Sequence, residues 1–275
     1  MNSILSAFAE RWLARRPGPT AVRPSRTSQA VALTRAELSR PHSPDGDPDA
    51  QRHLCAGMRS APPPWLRPQL AARTRFFDEH VTAGMGGGIR QIVVLGAGYD
   101  DRSLRFRTTG VRFFEVDHPA TQTDKARRLR ALRARADEPV LAAADFREDD
   151  VPTVLGACGH DPGERSLFIC EGLLVYLEQP VIVRLLTGLR ACAPSGSVLA
   201  ASLAVHEDGL DSAEVAAAAN ARRRSGAREP WRTILPADAH LELFTRAGWS
   251  VEHAVDAVEL DDGVRPGRCL LVTAG

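Results

Sequence analysis

Gln91-Ile92-Val93-Val94-Leu95-Gly96-Ala97-Gly98-Tyr99-Asp100 is the stretch whose reading decides the fold. A hydrophobic run breaks into a glycine turn. A second run, Val111-Arg112-Phe113-Phe114-Glu115-Val116-Asp117, then ends in an acid 19 residues after Gly98. Strand, glycine turn, helix, strand, acid is the order in which an α/β sheet holds an adenosine cofactor. Gly96 and Gly98 allow a tight turn and close approach of the backbone to a ligand, with Ala97 between them. Asp117, at the carboxyl end of its strand, is placed to accept hydrogen bonds from both ribose hydroxyls. A tight βα turn without a ligand is the alternative that the same residues allow.

The residue three places after Gly98 separates the possible cofactors. A dinucleotide fingerprint has a glycine there, so that a pyrophosphate can sit on the helix N-terminus. This chain has Asp101, with Asp100 beside it. Two carboxylates suit a helix N-terminus but repel a pyrophosphate. They tolerate a phosphate-free ligand with a cationic centre. S-adenosylmethionine is such a ligand, so the turn favours a methyl donor over NAD.

Around this unit lie 275 residues, 44% of them hydrophobic and 25% charged, enough for one large α/β domain with a small addition. The formal net charge of +1 gives no global field that would point to nucleic acid or a membrane. Lys125 is the only lysine among the basic residues, which reads as a compositional bias of the genome and not as chemistry. The arginine clusters at 125–135 and 222–224 read as solvated helix faces for the same reason. Five cysteines without a Cys-x-x-Cys pair argue against a metal site and a disulfide framework. No stretch is long and apolar enough for a membrane span. Ile4 to Leu13 has helical apolar spacing but carries Glu10 and Arg11, so it lacks the core of a signal peptide. These features predict a soluble, reduced, cytoplasmic protein.

Residues 1–16 are expected to form an amphipathic helix that docks on the domain or on a second copy, as a possible dimer element. A proline-rich connector follows at 17–26, then helices over Thr27–Ser39 and about Pro68–Val81, with a turn-rich loop at 40–50 and a break at Ala61–Trp65. Gly84 to Gly88 should lead into the first strand. Strands are expected near 91–95, 111–116, 139–143, 166–170 and 197–203, alternating with helices near 101–106, 120–135, 149–156 and 178–193. Such alternation predicts a parallel sheet with helices on both faces. The polar run 204–235 interrupts the sheet as a small lid, and a helix at 236–247 precedes a closing hairpin of strands near 249–258 and 267–273, around Asp261-Asp262-Gly263. The organisation expected is an N-terminal helical extension, 1–88, covering the cofactor site of a domain at 89–275.

Ligands of such sheets collect at the carboxyl ends of the strands. The third strand contributes Asp145, which could accept from an adenine amine or pair with Arg147, and Phe146, which could pack on the ring. The fourth contributes Glu171, which could bind the donor's amino group or a substrate, and Tyr176 one turn later. On the helices before the sheet, Arg35, Arg73 and Arg75 could clamp a free carboxylate or form surface ion pairs.

The stretches TRAELSRPHSPDGDPDA, AARTRFFDE, QIVVLGAGYDDRSLRF, FFEVDHPATQTDKARRL, ADFRED and FICEGLLVYL together resemble the leucine carboxyl methyltransferase-like family. This family of S-adenosylmethionine-dependent enzymes includes many actinobacterial members, some in polyketide pathways. The resemblance covers roughly residues 27–255. It implies a Rossmann-like class I methyltransferase fold, a mostly parallel seven-stranded sheet. It implies that Arg73, and more weakly Arg35, hold the donor's carboxylate, that Gly96 and Gly98 line the donor, and that Asp117 binds the ribose; Ala97, Asp100 and His118 are further candidate donor contacts beside them. Asp145 and Phe146 would bind adenine, and Glu171 would face the methionine end. Two departures stand out. Phe146 replaces the usual Leu, and Asp100-Asp101-Arg102 replaces the usual Asp-Thr-Arg.

Methyl transfer from a sulfonium is an in-line displacement in which the enzyme aligns nucleophile and methyl and excludes water. A carboxylate acceptor is already anionic at neutral pH, whereas a phenol needs a base. Glu171, Tyr176 and His206 at the head of the lid are the candidates for catalytic roles. No His–Asp pair stands out at the strand ends, which leans towards carboxyl methylation of a small molecule and leaves phenolic O-methylation open. A donor-binding protein without activity and a NAD-dependent oxidoreductase are the competing readings.

Overall fold

The computed structural model describes residues 24–59, 66–132, 139–222, 229–261, 263–264 and 269–275. Two short runs, β1 (Gln91–Leu95) and β4 (Ser166–Cys170), are buried along their whole length. Strands buried on both faces belong at the centre of a parallel sheet, and these two pair in parallel at the middle of a seven-stranded sheet. The strand order is β3-β2-β1-β4-β5-β7-β6, completed by β2 (Arg112–Asp117), β3 (Val140–Ala143), β5 (Val198–Ala204), β6 (Val251–Asp256) and β7 (Cys269–Ala274). Among the described strands, β7 alone runs against the direction of the rest, pairing antiparallel with both β5 and β6. The chain leaves β1 towards β2 and returns on the other side as β4. The turns after β1 and β4 therefore flank the point where strand order reverses, the usual place for a ligand.

Nine helices are described: α1 (Arg26–Arg35), α2 (Ala50–Leu54), α3 (Leu66–Gly86), α4 (Arg102–Arg105), α5 (Pro119–Ala131), α6 (Val151–Ala157), α7 (Gln179–Ala191), α8 (Ser212–Arg222) and α9 (Ala237–Arg246). One core layer joins Phe114, Phe168, Leu186, Phe244 and Trp249; the other joins Phe77, Val81, Ile92, Ile169 and Leu271. A smaller cluster of Ala32, Leu54, Tyr99, Leu104 and Leu129 fastens α1 and α2 to the glycine turn and α5.

Several boundaries differ from expectation. Helix α3 does not stop at Val81 but runs to Gly86, taking Gly84 and Gly86 with it. A Cβ on Gly84 would touch Ile89 and Leu167 at 3.5 and 3.6 Å, so close packing on the sheet outweighs glycine's low helix propensity. Helix α1 ends at Arg35 and not at Ser39, before the Arg40-Pro41 pair that disfavours helix. The strand expected from 249 begins at Val251, because Trp249 turns into the core and donates its indole N–H to the Leu186 carbonyl at 2.9 Å. It ends at Asp256, which caps a 3-10 turn at Ala257–Glu259 through a capping box. Strands β6 and β7 pair antiparallel as the expected hairpin does, although Asp262 lies outside the described residues. So do the expected helix at 1–16 and the break at 61–65.

The insertion at 204–235 contains α8, and its return is fastened to the rest of the fold. The amides of Arg232 and Thr233 donate to the Val175 carbonyl at 2.7 and 3.2 Å, and the Thr233 hydroxyl to the Leu177 carbonyl at 2.6 Å. Asn220 makes two 2.8 Å hydrogen bonds to the Trp231 backbone.

Candidate active site

The glycine turn and the end of β2 form one rigid unit. Gly96 and Gly98 take φ of 67° and 52°, the left-handed region that favours glycine. A Cβ on Gly98 would lie 2.7 Å from the Ser28 side chain, so α1 sits directly on the turn. The Gly98 amide donates to one oxygen of Asp117 and the His118 amide to the other, each at 2.6 Å. The carboxylate is thereby held at the carboxyl ends of β1 and β2. Burial pushes its pKa up, against the two amides. His118 caps α5, its Nδ1 accepting from the Ala120 amide at 3.2 Å. The imidazole is thus employed by the helix, while the His118 backbone orients Asp117.

Glu171, just past β4, is the hub of a buried ion-pair network. Its Oε1 meets Arg73 Nε of α3 at 2.8 Å and Arg35 Nη2 of α1 at 2.5 Å, and its Oε2 meets Arg102 Nη1 of α4 at 2.7 Å. Burial alone would raise its pKa, but Arg35, Arg102 and Arg73 outweigh it and hold the carboxyl well below the usual range. Asp100 accepts from Arg102 at 2.5 Å and Arg35 at 3.2 Å, and also from the Arg102 amide at 2.8 Å. Asp78 of α3 accepts from Arg102 Nε at 2.7 Å and Arg105 at 2.8 Å. Asp101 takes a bidentate pair from Arg40 at 2.8 and 2.7 Å, with Arg105 at 3.3 Å. Opposing its burial, Arg105 and Arg40 bring Asp101 down to about 2.

This network corrects the electrostatic reading of the turn. Asp100 and Asp101 do not present two bare carboxylates to a ligand on a helix N-terminus. Both are neutralised by arginines, α4 has four residues, and the Asp101 side chain makes no capping bond. The charge of Asp101, where the resemblance implies a Thr, is answered by Arg40, from the loop after α1. Arg35, expected as a clamp for the donor's carboxylate, spends its guanidinium on Asp100, Glu171 and Thr74. Arg73 differs: its side chain is the most accessible of the arginines on Glu171, at 13%, and its protein hydrogen bonding among the described residues is confined to Nε. Its two terminal nitrogens lie 3.4 Å from where a Cβ on Gly172 would stand. Arg75 instead donates to the Leu260 carbonyl at 3.1 Å.

Asp145 adopts the local pairing that the sequence left open, accepting from the Arg147 amide at 3.0 Å and Nε at 3.3 Å. Phe146 is buried against the larger core layer. Tyr176 ends a 3-10 turn (Leu174–Tyr176) and is half-buried. His206 is buried, with Nδ1 at 2.7 Å from the Glu207 carbonyl and Nε2 at 2.8 Å from the Ser212 hydroxyl. The carbonyl requires a proton on Nδ1, which leaves Nε2 to accept from Ser212 in the neutral ring. Glu171 likewise offers no free oxygen for general-base work. Sequence reasoning missed Arg40, Asp78, Arg102 and Arg105 as members of the network; two acids followed at once by an arginine in Asp100-Asp101-Arg102 were the available signal.

The leucine carboxyl methyltransferase family matches residues 19–190. A Streptomyces avermitilis protein, provisionally named an S-adenosyl-L-methionine-dependent methyltransferase, is 34% identical over 84% of this chain and 82% of its own length. The chain belongs to the leucine carboxyl methyltransferase family. This is a family of S-adenosyl-L-methionine-dependent methyltransferases. A Frankia alni protein with the same kind of provisional name is 37% identical over 64% of this chain and 68% of its own. Among solved structures, a Thermobifida fusca protein provisionally described as a methyltransferase shares the fold, at TM-score 0.59 and 18% identity over 94% and 98% of the two chains. So does magnesium protoporphyrin IX methyltransferase from Synechocystis with bound S-adenosylhomocysteine, at TM-score 0.52 and 12% identity over 82% and 92%. The family's donor fits the residues present. An acid fixed at the end of β2 suits a diol, bare glycine backbone suits close approach, and a guanidinium with open nitrogens suits a carboxylate. No helix among the described residues is long and apolar enough to cross a membrane.

Proposed function

We propose that this leucine carboxyl methyltransferase family member methylates a carboxylate oxygen of a small acid, such as a secondary metabolite, to give a methyl ester. The methyl donor is S-adenosyl-L-methionine, which when bound supplies an electrophilic methyl on a cationic sulfur. Arg73 holds the donor's carboxylate through its terminal nitrogens, and Asp117 its ribose. Gly96, Ala97 and Gly98 line it, and Asp145, freed from Arg147, meets adenine beside Phe146. Glu171 keeps Arg73 oriented, and Arg35 and Asp100 fix the turn. Tyr176, past β4, and His206, at the head of the insertion, are assigned to the acceptor side, where they help to exclude water.

The observation that carries this reading is the state of Glu171. The carboxylate just past β4 is held by three arginines and kept anionic far below neutrality, so it is a poor base. His206 is committed on both nitrogens. An acceptor that arrives already ionised needs neither, and a carboxylate with a pKa of about 4 meets that condition.

The test is turnover of a panel of carboxylic acids and phenols with S-adenosyl-L-methionine across pH. Carboxyl methylation gives a rate that is flat from about pH 6 to 9 and declines only as the acceptor protonates near pH 4 to 5. Turnover of phenols alone, with a rate that climbs with pH, would sink the proposal.

A further inference from the structure

Lys125 is the one lysine beside 34 arginines, and composition alone gives it no role. Its position does. The side chain is 1% exposed on α5, ion-paired with Glu115 of β2. Its Nζ also donates to the Asp100 carbonyl at 2.7 Å. The Ser103 hydroxyl of α4 donates to the other oxygen of Glu115 at 2.7 Å, and Gln122 Nε2 of α5 to the Glu115 carbonyl at 2.6 Å. One ammonium therefore joins β2, the glycine turn and α5, with α4 reached through Glu115. Glu115 lies two residues before Asp117, and Asp100 two residues after Gly98. The two halves of the donor cradle are tied together from behind at this point.

Arginine cannot do this. A guanidinium brings five N–H donors on a rigid fork. The acceptors at Lys125 are one carboxylate oxygen and one carbonyl, because the Asp100 side chain is already taken by Arg35 and Arg102. The remaining donors would be buried without partners, which is costly. A compact ammonium with three rotatable donors suits the space.

We propose that Lys125 is a positioning residue of the donor site, setting the separation between the Gly98–Asp100 turn and Asp117 without touching the donor. This rests on the assignment of that cleft to S-adenosyl-L-methionine. It is tested by calorimetric titration of the full chain with S-adenosylhomocysteine, for wild type, Lys125→Met, Lys125→Arg and a stability control, Leu189→Ala, in the core under α7. Lys125→Met should raise Kd about tenfold, the equivalent of one charged hydrogen bond, and Lys125→Arg should not restore it. Leu189→Ala should lower Tm at least as much while leaving Kd within about twofold. On an Asp117→Ala background, Lys125→Met should add less than about twofold, since coupled residues are not additive. Should Lys125→Met fail to fold, Lys125→Met/Glu115→Gln removes both charges and leaves no lone buried carboxylate; its Kd should rise similarly. An unchanged Kd in the Lys125 variants, an equal rise in Leu189→Ala, or additivity with Asp117→Ala would each overturn the proposal. Absence of binding by the wild type would overturn the donor assignment first, and this inference with it.

Discussion

Glu171 meets three arginines inside a buried ion-pair network, whereas the return of the 204–235 insertion is held to Val175 and Leu177 by hydrogen bonds between neutral groups. The contrast separates two ways of fixing a site. At the donor end no member can leave without stranding a charge in a low-dielectric interior, so the arrangement is all or nothing. At the insertion each bond contributes about 1 kcal/mol and can be lost singly. The donor end is therefore held in a way that resists variation, and the insertion in a way that tolerates it.

The sharpest way to break the contrast is Glu171→Ala, which leaves Arg35, Arg73 and Arg102 sharing too few partners. We expect a loss of about 3–5 kcal/mol in urea unfolding, the cost of removing one partner from a buried network. A loss under about 1 kcal/mol would mean that the network is loosely solvated. Next in size, Arg73→Ala should weaken S-adenosylhomocysteine binding by about 2–3 kcal/mol and leave adenosine binding unchanged. Equal losses for both ligands in calorimetry would contradict its role at the carboxylate.

Acid offers a third handle on the donor end. Arg105 and Arg40 hold the Asp101 carboxyl, despite its burial, at about 2, below its ordinary value. A group depressed in the folded state contributes stability that is full above its unfolded pKa, about 4, and is lost as pH falls through the folded value. Wild type should thus exceed Asp101→Asn in stability at about pH 5, and the gap should narrow at about pH 3 and below. A gap that is constant with pH would show that Asp101 acts by shape alone. The smallest effect is expected at the insertion. Thr233→Val should cost about 1 kcal/mol and raise the acceptor KM while the donor Kd stays put. A change in donor Kd would show that the two regions are coupled.

What could be read from the sequence was what is local. β1, the glycine turn, β2 and Asp117 lie within one short stretch, and alternation of strand and helix carried the remainder of the sheet. Arg73 was legible as a candidate clamp because it comes one residue before Thr74, in the Arg-Thr pair of the family's motif. The network was not, because its partners come from far apart: Arg40 meets Asp101 across 61 residues, and Arg73 meets Glu171 across 98. Asp100 and Asp101 were read as free charges for the same reason. Helix α3 outran its expected end because the packing of Gly84 on Leu167 is a tertiary fact that propensity does not encode. Lys125 looked like noise in an arginine-rich composition until its two acceptors were seen.

The span of those ion pairs also bears on how the chain is made. Synthesis proceeds from the N-terminus at about 5–20 residues per second. Arg35 must wait for Asp100, 65 residues later, and then for Glu171, while Arg73 waits 98 residues for the same carboxylate. Helix α1 is among the earliest described segments to leave the ribosome, yet its partners are complete only once β4 has emerged. Closure over the glycine turn is consequently a late event in biogenesis. The arginines that will lock it stay hydrated until their buried carboxylates have emerged.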